Sequence, residues 1–318
     1  MTYPRDLPVG PRLEVPADDV HLWALDTPGG TRVPAAAAAE LAPAERRRAA
    51  AFVRPAGRLL YVRAHLALRR LLSAYTGIAP ALLELRRDAC PRCAGPHGRP
   101  VLADPPGLHF SLSHSHGLAL IGIARTPVGV DVQRVPTART VELCLPVLRP
   151  REQRELLDLP AAARPRAFGE LWTRKEALLK GIGTGLSHGV GAAPYLGTHH
   201  ASGRSAGARG WSVADLPGCP DHAAAVALAA TGPGTGRAVL REVPHAFLHL
   251  PGRQAAELLG GVEPALRTAV PAPGRPAGPA GPDQARPDHD DRGRHGRGHD
   301  DRQVRRTAPD QGGSPTGP

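Results

Sequence analysis

Lysine is nearly absent from this chain of 318 residues, although Lys and Arg together number 40. The two lysines, Lys175 and Lys180, lie five residues apart in one short segment. Arginine is a forked and permanently protonated cation, whereas lysine is a flexible point charge whose pKa shifts readily on burial. A coding bias toward arginine accounts for its use elsewhere, so we expect the segment that keeps both lysines to need lysine chemistry.

Aromatic residues make up only 3% of the chain, and no run of about 18 apolar residues occurs. The first scarcity argues against a base-stacking surface for nucleic acid, and the second argues against a membrane span. The N-terminus lacks the apolar core of a signal peptide, and four cysteines are too few for a disulfide scaffold in a chain of this length. We therefore expect a cytoplasmic protein with no nucleic-acid partner and no membrane partner.

Positive charge is in excess, with a formal net charge of +11. Such an excess indicates an anionic partner, which could be nucleic acid, a phosphorylated small molecule or an acidic protein. The same coding bias that favours arginine is the plainer explanation for part of this charge. A basic nucleic-acid-binding protein stays an alternative function, although no helix-turn-helix, zinc-finger or RNP pattern occurs.

The C-terminal end has low complexity. Residues 271–318 contain nine Pro, nine Gly and one residue, Val304, among Val, Ile, Leu, Met and the aromatics. This composition predicts a disordered tail. Residues 231–270 form an uncertain transitional segment with many helix and strand breakers. The folded part is expected to divide into an N-terminal lobe, residues 12–125, and a C-terminal lobe, residues 126–230.

Hydrophobic spacing predicts helices and strands in both halves. The predicted strands are residues 20–25, 82–86, 118–124, 128–132, 211–216 and 222–229. The predicted helices are residues 45–53, 58–75, 151–157 and 168–180. Helices combined with a small sheet in each half predict the α+β class.

The predicted helix at residues 168–180 carries both lysines. Lys175 falls on the apolar stripe that includes Phe168 and Trp172, and a buried lysine must extend to the surface or meet an anion. Glu176 precedes Lys180 by one turn, which by itself is typical of a solvent-exposed ion pair. That plain interpretation explains Lys180 but not Lys175, so we favour a helix that forms one wall of a site.

Asp131 lies on the apolar strand at residues 128–132, and Gln133 follows directly after its end. Positions two apart in a strand project to the same side, so their side-chain oxygens lie together. A carboxylate beside an amide oxygen suits a hard cation such as Mg²⁺. The alternative is an aspartate that only caps the strand end.

Residues 110–117 place Ser113 and His114 immediately before the apolar strand at 118–124. Hydroxyl and imidazole groups at such a position can bind phosphate. A polar turn without a ligand is the alternative.

Cys90 and Cys93 form a Cys-x-x-Cys pair, followed by His97. This spacing is compatible with zinc, but a structural zinc site has four ligands and only three residues are close together here. A tight turn with two reduced thiols is the alternative.

In their order and spacing, four motifs resemble the signatures of the Sfp-type 4′-phosphopantetheinyl transferases. Residues 97–100 resemble Gly-Lys-Pro, residues 110–115 resemble Phe-Asn-Leu-Ser-His-Ser, residues 129–133 resemble Gly-Ile-Asp-Ile-Glu, and residues 172–180 match Trp-x-x-Lys-Glu-Ala-x-x-Lys. The resemblance covers about residues 20–230. It implies a pseudo-twofold pair of similar α/β lobes, with coenzyme A bound in the cleft between them.

The resemblance also implies an activity and its residues. A monomer would transfer the 4′-phosphopantetheine arm of coenzyme A to a serine of an apo acyl or peptidyl carrier protein, with Mg²⁺, and release 3′,5′-ADP. The implied metal ligands are Asp131, Gln133 and Glu176, and the implied catalytic residues are Glu176, Lys180 and Asp131. The implied coenzyme A contacts are Arg48, Arg99, Pro100, Ser113, His114, Lys175 and Lys180.

Three positions depart from the family pattern. Gln133 stands where many members have a metal-binding Glu, so the implied site lacks one negative charge. Arg99 replaces a Lys that contacts phosphate, which keeps the charge but changes its geometry. Ser111 replaces an Asn. The first departure leaves a catalytically weak coenzyme A-binding relative as an alternative.

Overall fold

The computed structural model describes residues 12–27, 33–104, 106–185, 189–198, 210–218, 220–230 and 236–270. The described residues belong to one compact unit, Met1–Gly278. The tail that the sequence predicts to be disordered, residues 271–318, lies outside the described residues. None of the helices in the described ranges is long and apolar enough to cross a membrane.

The described ranges contain helices and strands in a mixed order. The helices are α1 Ala35–Ala38, α2 Pro43–Ala50, α3 Pro55–Thr76, α4 Ala138–Cys144, α5 Pro150–Leu157, α6 Arg164–Ile182 and α7 Gly252–Gly260. The strands are β1 Val20–Asp26, β2 Leu85–Arg87, β3 Pro100–Leu102, β4 His109–Ser115, β5 Leu118–Ala124, β6 Val128–Arg134, β7 Trp211–Asp215, β8 His222–Ala229, β9 Gly236–Glu242 and β10 Leu266–Val270. The α+β class predicted from the sequence is confirmed.

The strands form two sheets and one small hairpin. The first sheet has the order β10-β9-β1-β5-β4, and the second has the order β6-β8-β7. Strand β1 pairs in parallel with β9, while the other pairs, including the separate β2–β3 hairpin, are antiparallel. Helix α3 packs on the first sheet and helix α6 on the second.

Apolar side chains fill the contact between the two sheets. Leu22 and Leu120 from the first sheet are buried in one cluster with Val130, Val226 and Leu228 from the second. Full burial of an aliphatic side chain of this size contributes about 1.5–3 kcal/mol relative to exposure. This shared core fixes β5 relative to β6, and β4, which pairs with β5, is positioned with it.

Helix α6 is longer than its sequence pattern predicts and lies very close to β6. It ends before Gly183, which adopts the left-handed conformation (φ 92°) that closes many helices. A side chain at Gly129 would place its Cβ atom 1.9 Å from the Ala177 carbonyl oxygen. Only glycine therefore allows this close approach, which brings Asp131 of β6 near the last turns of α6.

The segment at residues 231–270, to which the sequence assigns no role, contributes structure from residue 236 onward. Strands β9 and β10 complete the first sheet, and Phe247, Ala255 and Leu259 are buried against its core. The expectation that the folded part ends near residue 230 is therefore wrong. The strand β9 pairs with β1, which is distant in the sequence, and local periodicity does not reveal such a pairing.

The predicted strand at residues 82–86 is displaced. A 3₁₀ turn occupies Pro80–Leu82, and β2 begins only at Leu85. Pro80 has the fixed φ that favours the first position of such a turn. The displacement leaves β2 short, and the loop from β2 to β3 then carries the Cys-x-x-Cys segment toward the site described next.

Candidate active site

A cavity of about 660 Å³ lies beside α3, β4, the β2–β3 hairpin and the C-terminal end of α6. Five residues that the family resemblance assigns to coenzyme A line this cavity: Arg99, Pro100, Ser113, His114 and Lys180. They come from three separate stretches of sequence. The fold therefore brings most of the predicted contacts to one place.

Three serines at alternate positions of β4 join this strand to β6. Alternate positions share one side of a strand, which here faces β6. The Ser111 Oγ accepts from the Val130 N–H (3.0 Å), the Ser113 Oγ donates to the Asp131 Oδ1 (2.7 Å), and the Ser115 Oγ accepts from the Arg134 N–H (3.1 Å). Ser111, which departs from the family's Asn, is thus an acceptor for the backbone of β6.

Lys180, Asp131 and Ser113 form one hydrogen-bonded cluster. The Lys180 Nζ lies 2.6 Å from the Asp131 Oδ1 and donates to the Ser113 Oγ at 3.0 Å. The Asp131 side chain is 6% exposed, whereas that of Lys180 is 29% exposed. A charge-assisted hydrogen bond of this length holds the ammonium group in place while part of it still faces the cavity.

Glu176 is a buried carboxyl group beside this cluster. Its pKa is raised to about 7, chiefly by burial and also by the negative charge of Asp131, while Lys180 and a hydrogen bond from Trp172 act in the opposite direction. A carboxyl group with a pKa near the working pH can accept and release a proton efficiently. Perturbed pKa values of this kind are typical of functional sites.

The two carboxylates also fit a divalent cation. Asp131 raises the pKa of Glu176 because their negative charges repel, and a bound cation would remove that repulsion. Carboxylate oxygens are the ligands that Mg²⁺ prefers. None of the three predicted metal ligands is among the described residues that line the cavity: Asp131 and Glu176 are buried behind Lys180, and Gln133, two positions along β6 from Asp131, is exposed.

Among the cavity residues that were not anticipated from the sequence are Glu45 of α2, and Tyr61 and His65 of α3. Tyr61 stacks on His65 with ring centroids 4.1 Å apart and meets the His114 ring edge-on at 6.4 Å. Their spacing of four along α3 places Tyr61 and His65 on one helix face. That polar interruption of a leucine-rich helix is the signal that could have identified them.

His114 is a half-buried histidine of the cavity wall. Burial lowers the pKa of its imidazole, and the nearby His65 and Lys180 lower it further. Glu45 receives hydrogen bonds from Arg69 and from the Ala42 N–H, and its other carboxylate oxygen lies 3.0 Å from the His65 Nδ1. Glu45 therefore positions His65, and the permanent positive charges of the cavity wall come from its Arg and Lys side chains.

Arg99 reaches the cavity from the loop that precedes β3. Its Nε donates to the Asp88 Oδ2 at 3.3 Å, and one terminal nitrogen donates to the Gly181 carbonyl at 3.3 Å. The contact with Gly181 links the hairpin to the end of α6. Pro100 follows directly as the first residue of β3 and also lines the cavity.

Lys175 is not brought to the cavity. Its side chain is fully buried, and the Nζ lies 2.9 Å from Oε1 of Glu152, which is buried as well. The Nζ also donates a hydrogen bond to the Pro194 carbonyl at 3.1 Å. Five residues of helix separate it from Lys180 by about 140°. The structure therefore corrects the expected coenzyme A contact, because Lys175 meets a carboxylate of α5 on another face of α6.

Arg48 also lies outside the cavity lining. It is exposed on α2, with its guanidinium 5.7 Å from the centre of the Phe52 ring. An exposed cation over an aromatic face contributes on the order of 0.5–1 kcal/mol. The expected contact of Arg48 with coenzyme A is not supported by its position in the described structure.

Comparison with known proteins agrees with this geometry. Residues 127–226 match the 4′-phosphopantetheinyl transferase superfamily. The chain is 32% identical over 186 residues to the 4′-phosphopantetheinyl transferase HetI of Nostoc sp., which covers 57% of this chain and 76% of HetI. It is 29% identical over 91 residues to the 4′-phosphopantetheinyl transferase Sfp of Bacillus subtilis, and this alignment covers 29% of this chain and 40% of Sfp. On the strength of the match to most of HetI, this chain belongs to the 4′-phosphopantetheinyl transferase family.

Proposed function

We propose that this enzyme transfers the 4′-phosphopantetheine arm of coenzyme A to a serine of an apo acyl or peptidyl carrier protein. The serine oxygen attacks the β-phosphorus of coenzyme A, the bond from this phosphorus to the bridging oxygen breaks, and 3′,5′-ADP leaves. The observation that carries the proposal is the Lys180–Asp131–Ser113 cluster beside Glu176, at the edge of a cavity lined by cationic groups.

The charge of the cavity favours a phosphorylated ligand. Arg86, Arg87, Arg99 and Lys180 all line it. A second cavity, of about 680 Å³, is lined by residues that include Asp26 and Glu242 but no Arg or Lys among those described. Phosphate groups are bound through such cationic donors, so the first cavity is the binding site that we propose for coenzyme A.

We further propose that the two sheets are the cores of a pseudo-twofold pair of lobes. The cavity takes its walls from α3 and β4, which belong with the first sheet, and from the end of α6, which packs on the second. The packing of two such units leaves a groove at their junction. A ligand in that groove contacts both halves of the chain.

Catalysis in this proposal is positioning together with charge neutralisation. Lys180 stabilises negative charge that develops on the phosphate oxygens, and its bond to Asp131 fixes the ammonium group before the substrate arrives. Glu176 accepts the proton of the attacking serine, directly or through one water. Its pKa of about 7 leaves a large fraction ionised at neutral pH.

Asp131 and Glu176 would hold Mg²⁺, with the exposed Gln133 assisting through its amide oxygen. When bound, the cation would neutralise oxygens of the pyrophosphate. A cation near Glu176 also favours the ionised carboxylate, because opposite charge lowers the pKa of a carboxyl group. Arg99, His114 and Ser113 are proposed to contact the phosphate groups at the nucleotide end of coenzyme A.

An acidic carrier protein suits the charge of this chain. The net charge is +11, and Arg46, Arg47 and Arg48 are exposed on α2. Complementary charge accelerates association and selects orientation more than it raises affinity. The basic surface is therefore proposed to steer the carrier toward the cavity.

Incubation of the protein with coenzyme A, Mg²⁺ and an apo carrier tests the proposal. We expect the carrier to gain the mass of one phosphopantetheine arm, together with 3′,5′-ADP in the supernatant. Binding of coenzyme A without any mass gain would instead favour the alternative of a catalytically weak coenzyme A-binding relative, in which Gln133 replaces a metal-binding carboxylate. Absence of coenzyme A binding would contradict the proposed site.

A further inference from the structure

The loop between β2 and β3 gathers three metal-binding side chains outside the cluster of Lys180. One ligand atom each from Cys90, Cys93 and His97 lies within 4.8 Å of the others. The Cys93 Sγ is 3.0 Å from the His97 Nε2. Cys90 is buried, whereas Cys93 and His97 are exposed. The cluster thus has one anchored thiol and two side chains that solvent can reach.

The backbone of this loop is closed around the cluster. The Cys90 N–H donates to the Gly95 carbonyl, and the Ala94 N–H donates back to the Cys90 carbonyl, both at 2.8 Å. Ala94 adopts φ 57°, a left-handed conformation that costs energy for a residue with a Cβ atom. Such strain persists where the surrounding structure holds it in place, and it clusters at ligand sites.

We infer that Cys90, Cys93 and His97 bind a zinc ion. Thiolate sulfur and imidazole nitrogen are the ligands that zinc prefers, and a Cys-x-x-Cys pair with a nearby histidine is a typical spacing. Three protein ligands leave the fourth tetrahedral position to a water molecule on the exposed side.

This zinc site would support the cavity. The same loop leads into Arg99 and Pro100, and His97 itself lines the cavity. The loop is tied to the hairpin by a hydrogen bond from the Arg87 side chain to the Gly98 carbonyl at 2.9 Å and by another from the Asp88 N–H to the Arg99 carbonyl at 3.0 Å. Zinc would therefore hold in place the segment that presents Arg99. This effect on coenzyme A rests on the proposed function, whereas the zinc site itself does not.

Metal content of the full chain, produced without a histidine tag, tests the inference. We expect about one zinc per chain in the unaltered protein and in Cys144→Ser, and about one-tenth of that in Cys90→Ser and Cys93→Ser. Cys144 is a matched control because it is another free cysteine outside the cluster. Circular dichroism of each variant checks that it is folded.

Replacement of zinc by Co²⁺ identifies the ligands directly. A thiolate-to-cobalt absorption band is expected in the unaltered protein and in Cys144→Ser, and its loss is expected in Cys93→Ser. This band separates the site from any histidine-only binding elsewhere in the chain. His97→Cys keeps a zinc ligand at the position and should retain the metal, whereas His97→Ala should lose it.

Coenzyme A affinity, measured in the same variants, separates this inference from the proposed function. Cys93→Ser should bind coenzyme A about tenfold more weakly, the order expected when one charged hydrogen bond is lost. Zinc binding without coenzyme A binding in any variant would leave the zinc site standing and overturn the proposed function. Protein that is metal-free, that takes up neither Zn²⁺ nor Co²⁺, or that carries a Cys90–Cys93 disulfide would overturn the zinc site.

Discussion

The two lysines of helix α6 occupy different environments, although each forms an ion pair with one carboxylate. Lys175 and Glu152 are both 0% exposed, and their pair connects α6 to α5. Lys180 is 29% exposed and lines the cavity, while its partner Asp131 is buried behind it. Burial lowers the pKa of Lys175, and Glu152 raises it in turn.

The difference shows what separates a structural ion pair from a functional one. A fully buried pair has no remaining access for a ligand, so its charge serves only the contact between two elements. A partly exposed pair keeps donors available for an incoming anion. The scarcity of lysine points to both residues equally, and only the surroundings of each ammonium group distinguish their roles.

Substitution of Lys175 by Met should have the largest effect, and that effect should be on stability. It leaves Glu152 buried without its partner, which costs about 3–5 kcal/mol in the free energy of unfolding. Urea denaturation measures this loss. The double variant Lys175→Met/Glu152→Gln should recover part of it, because no charge is then buried without a partner and the amide oxygen can still accept from the Leu196 N–H, although the NH2 group cannot accept from the Arg149 N–H. A stable Lys175→Met protein that cannot bind coenzyme A would show that Lys175 has a functional role and not a structural one.

Substitution of Lys180 by Met should chiefly affect the reaction, with a smaller loss of stability than Lys175→Met because Asp131 keeps its hydrogen bond from Ser113. Loss of one preorganised donor to a developing charge reduces kcat by about 10²–10³-fold. The rate of carrier modification measures this, with thermal unfolding as the check on folding. Lys180→Arg is the matched control: it keeps the charge with a different geometry and should recover only part of the activity. Full activity of Lys180→Met would remove Lys180 from the mechanism.

The pH dependence of the reaction should follow Glu176. If the ionised carboxylate is the base, kcat/KM rises with pH through the pKa of Glu176, which is about 7 without metal and is lowered by bound Mg²⁺. Glu176→Gln should lower the rate and remove this inflection. An unchanged inflection in Glu176→Gln would assign it to another group.

The same pKa predicts a stability effect without ligands. Because the folded pKa lies above the unfolded value of 4.5, the stabilising contribution of Glu176 is fully present below pH 4.5 and is lost as pH rises through about 7. The shift corresponds to about 3 kcal/mol as an upper bound. Glu176→Gln should show a smaller decline in the free energy of unfolding across this range.

Much of the cavity could be predicted from the sequence because its residues lie in short motifs within single elements. Ser113 lies on β4 and Asp131 on β6, and the fixed positions of the lysine motif place Lys180 on the last turn of α6. Alternation along a strand and rotation along a helix are local properties. They suffice to say which face a residue is on.

The sequence could not supply what depends on distant partners. A helical projection puts Lys175 on an apolar face but cannot say whether its anion is Glu152 or a phosphate. The pairing of β1 with β9 joins Val20 to Ala238, and no local pattern marks these strands as neighbours. Tyr61 and His65 carried a usable spacing, yet only the fold shows that His114 lies opposite them.

Substitution of Gln133 by Glu should give the smallest effect. It tests whether residue 133 is a ligand of Mg²⁺ in the site that contains Lys180. A second carboxylate on β6 adds Coulomb attraction for a divalent cation at an exposed position, so the Mg²⁺ concentration for half-maximal transfer should fall by up to about tenfold. Gln133→Met, which has similar size but no oxygen, is the matched control and should raise that concentration. Because Lys175 points away from the cavity and pairs with Glu152 of α5, variants of these two residues should leave the Mg²⁺ titration unchanged. Identical titrations for the unaltered protein, Gln133→Glu and Gln133→Met would exclude this position as a ligand and leave Asp131 and Glu176 to hold the metal alone.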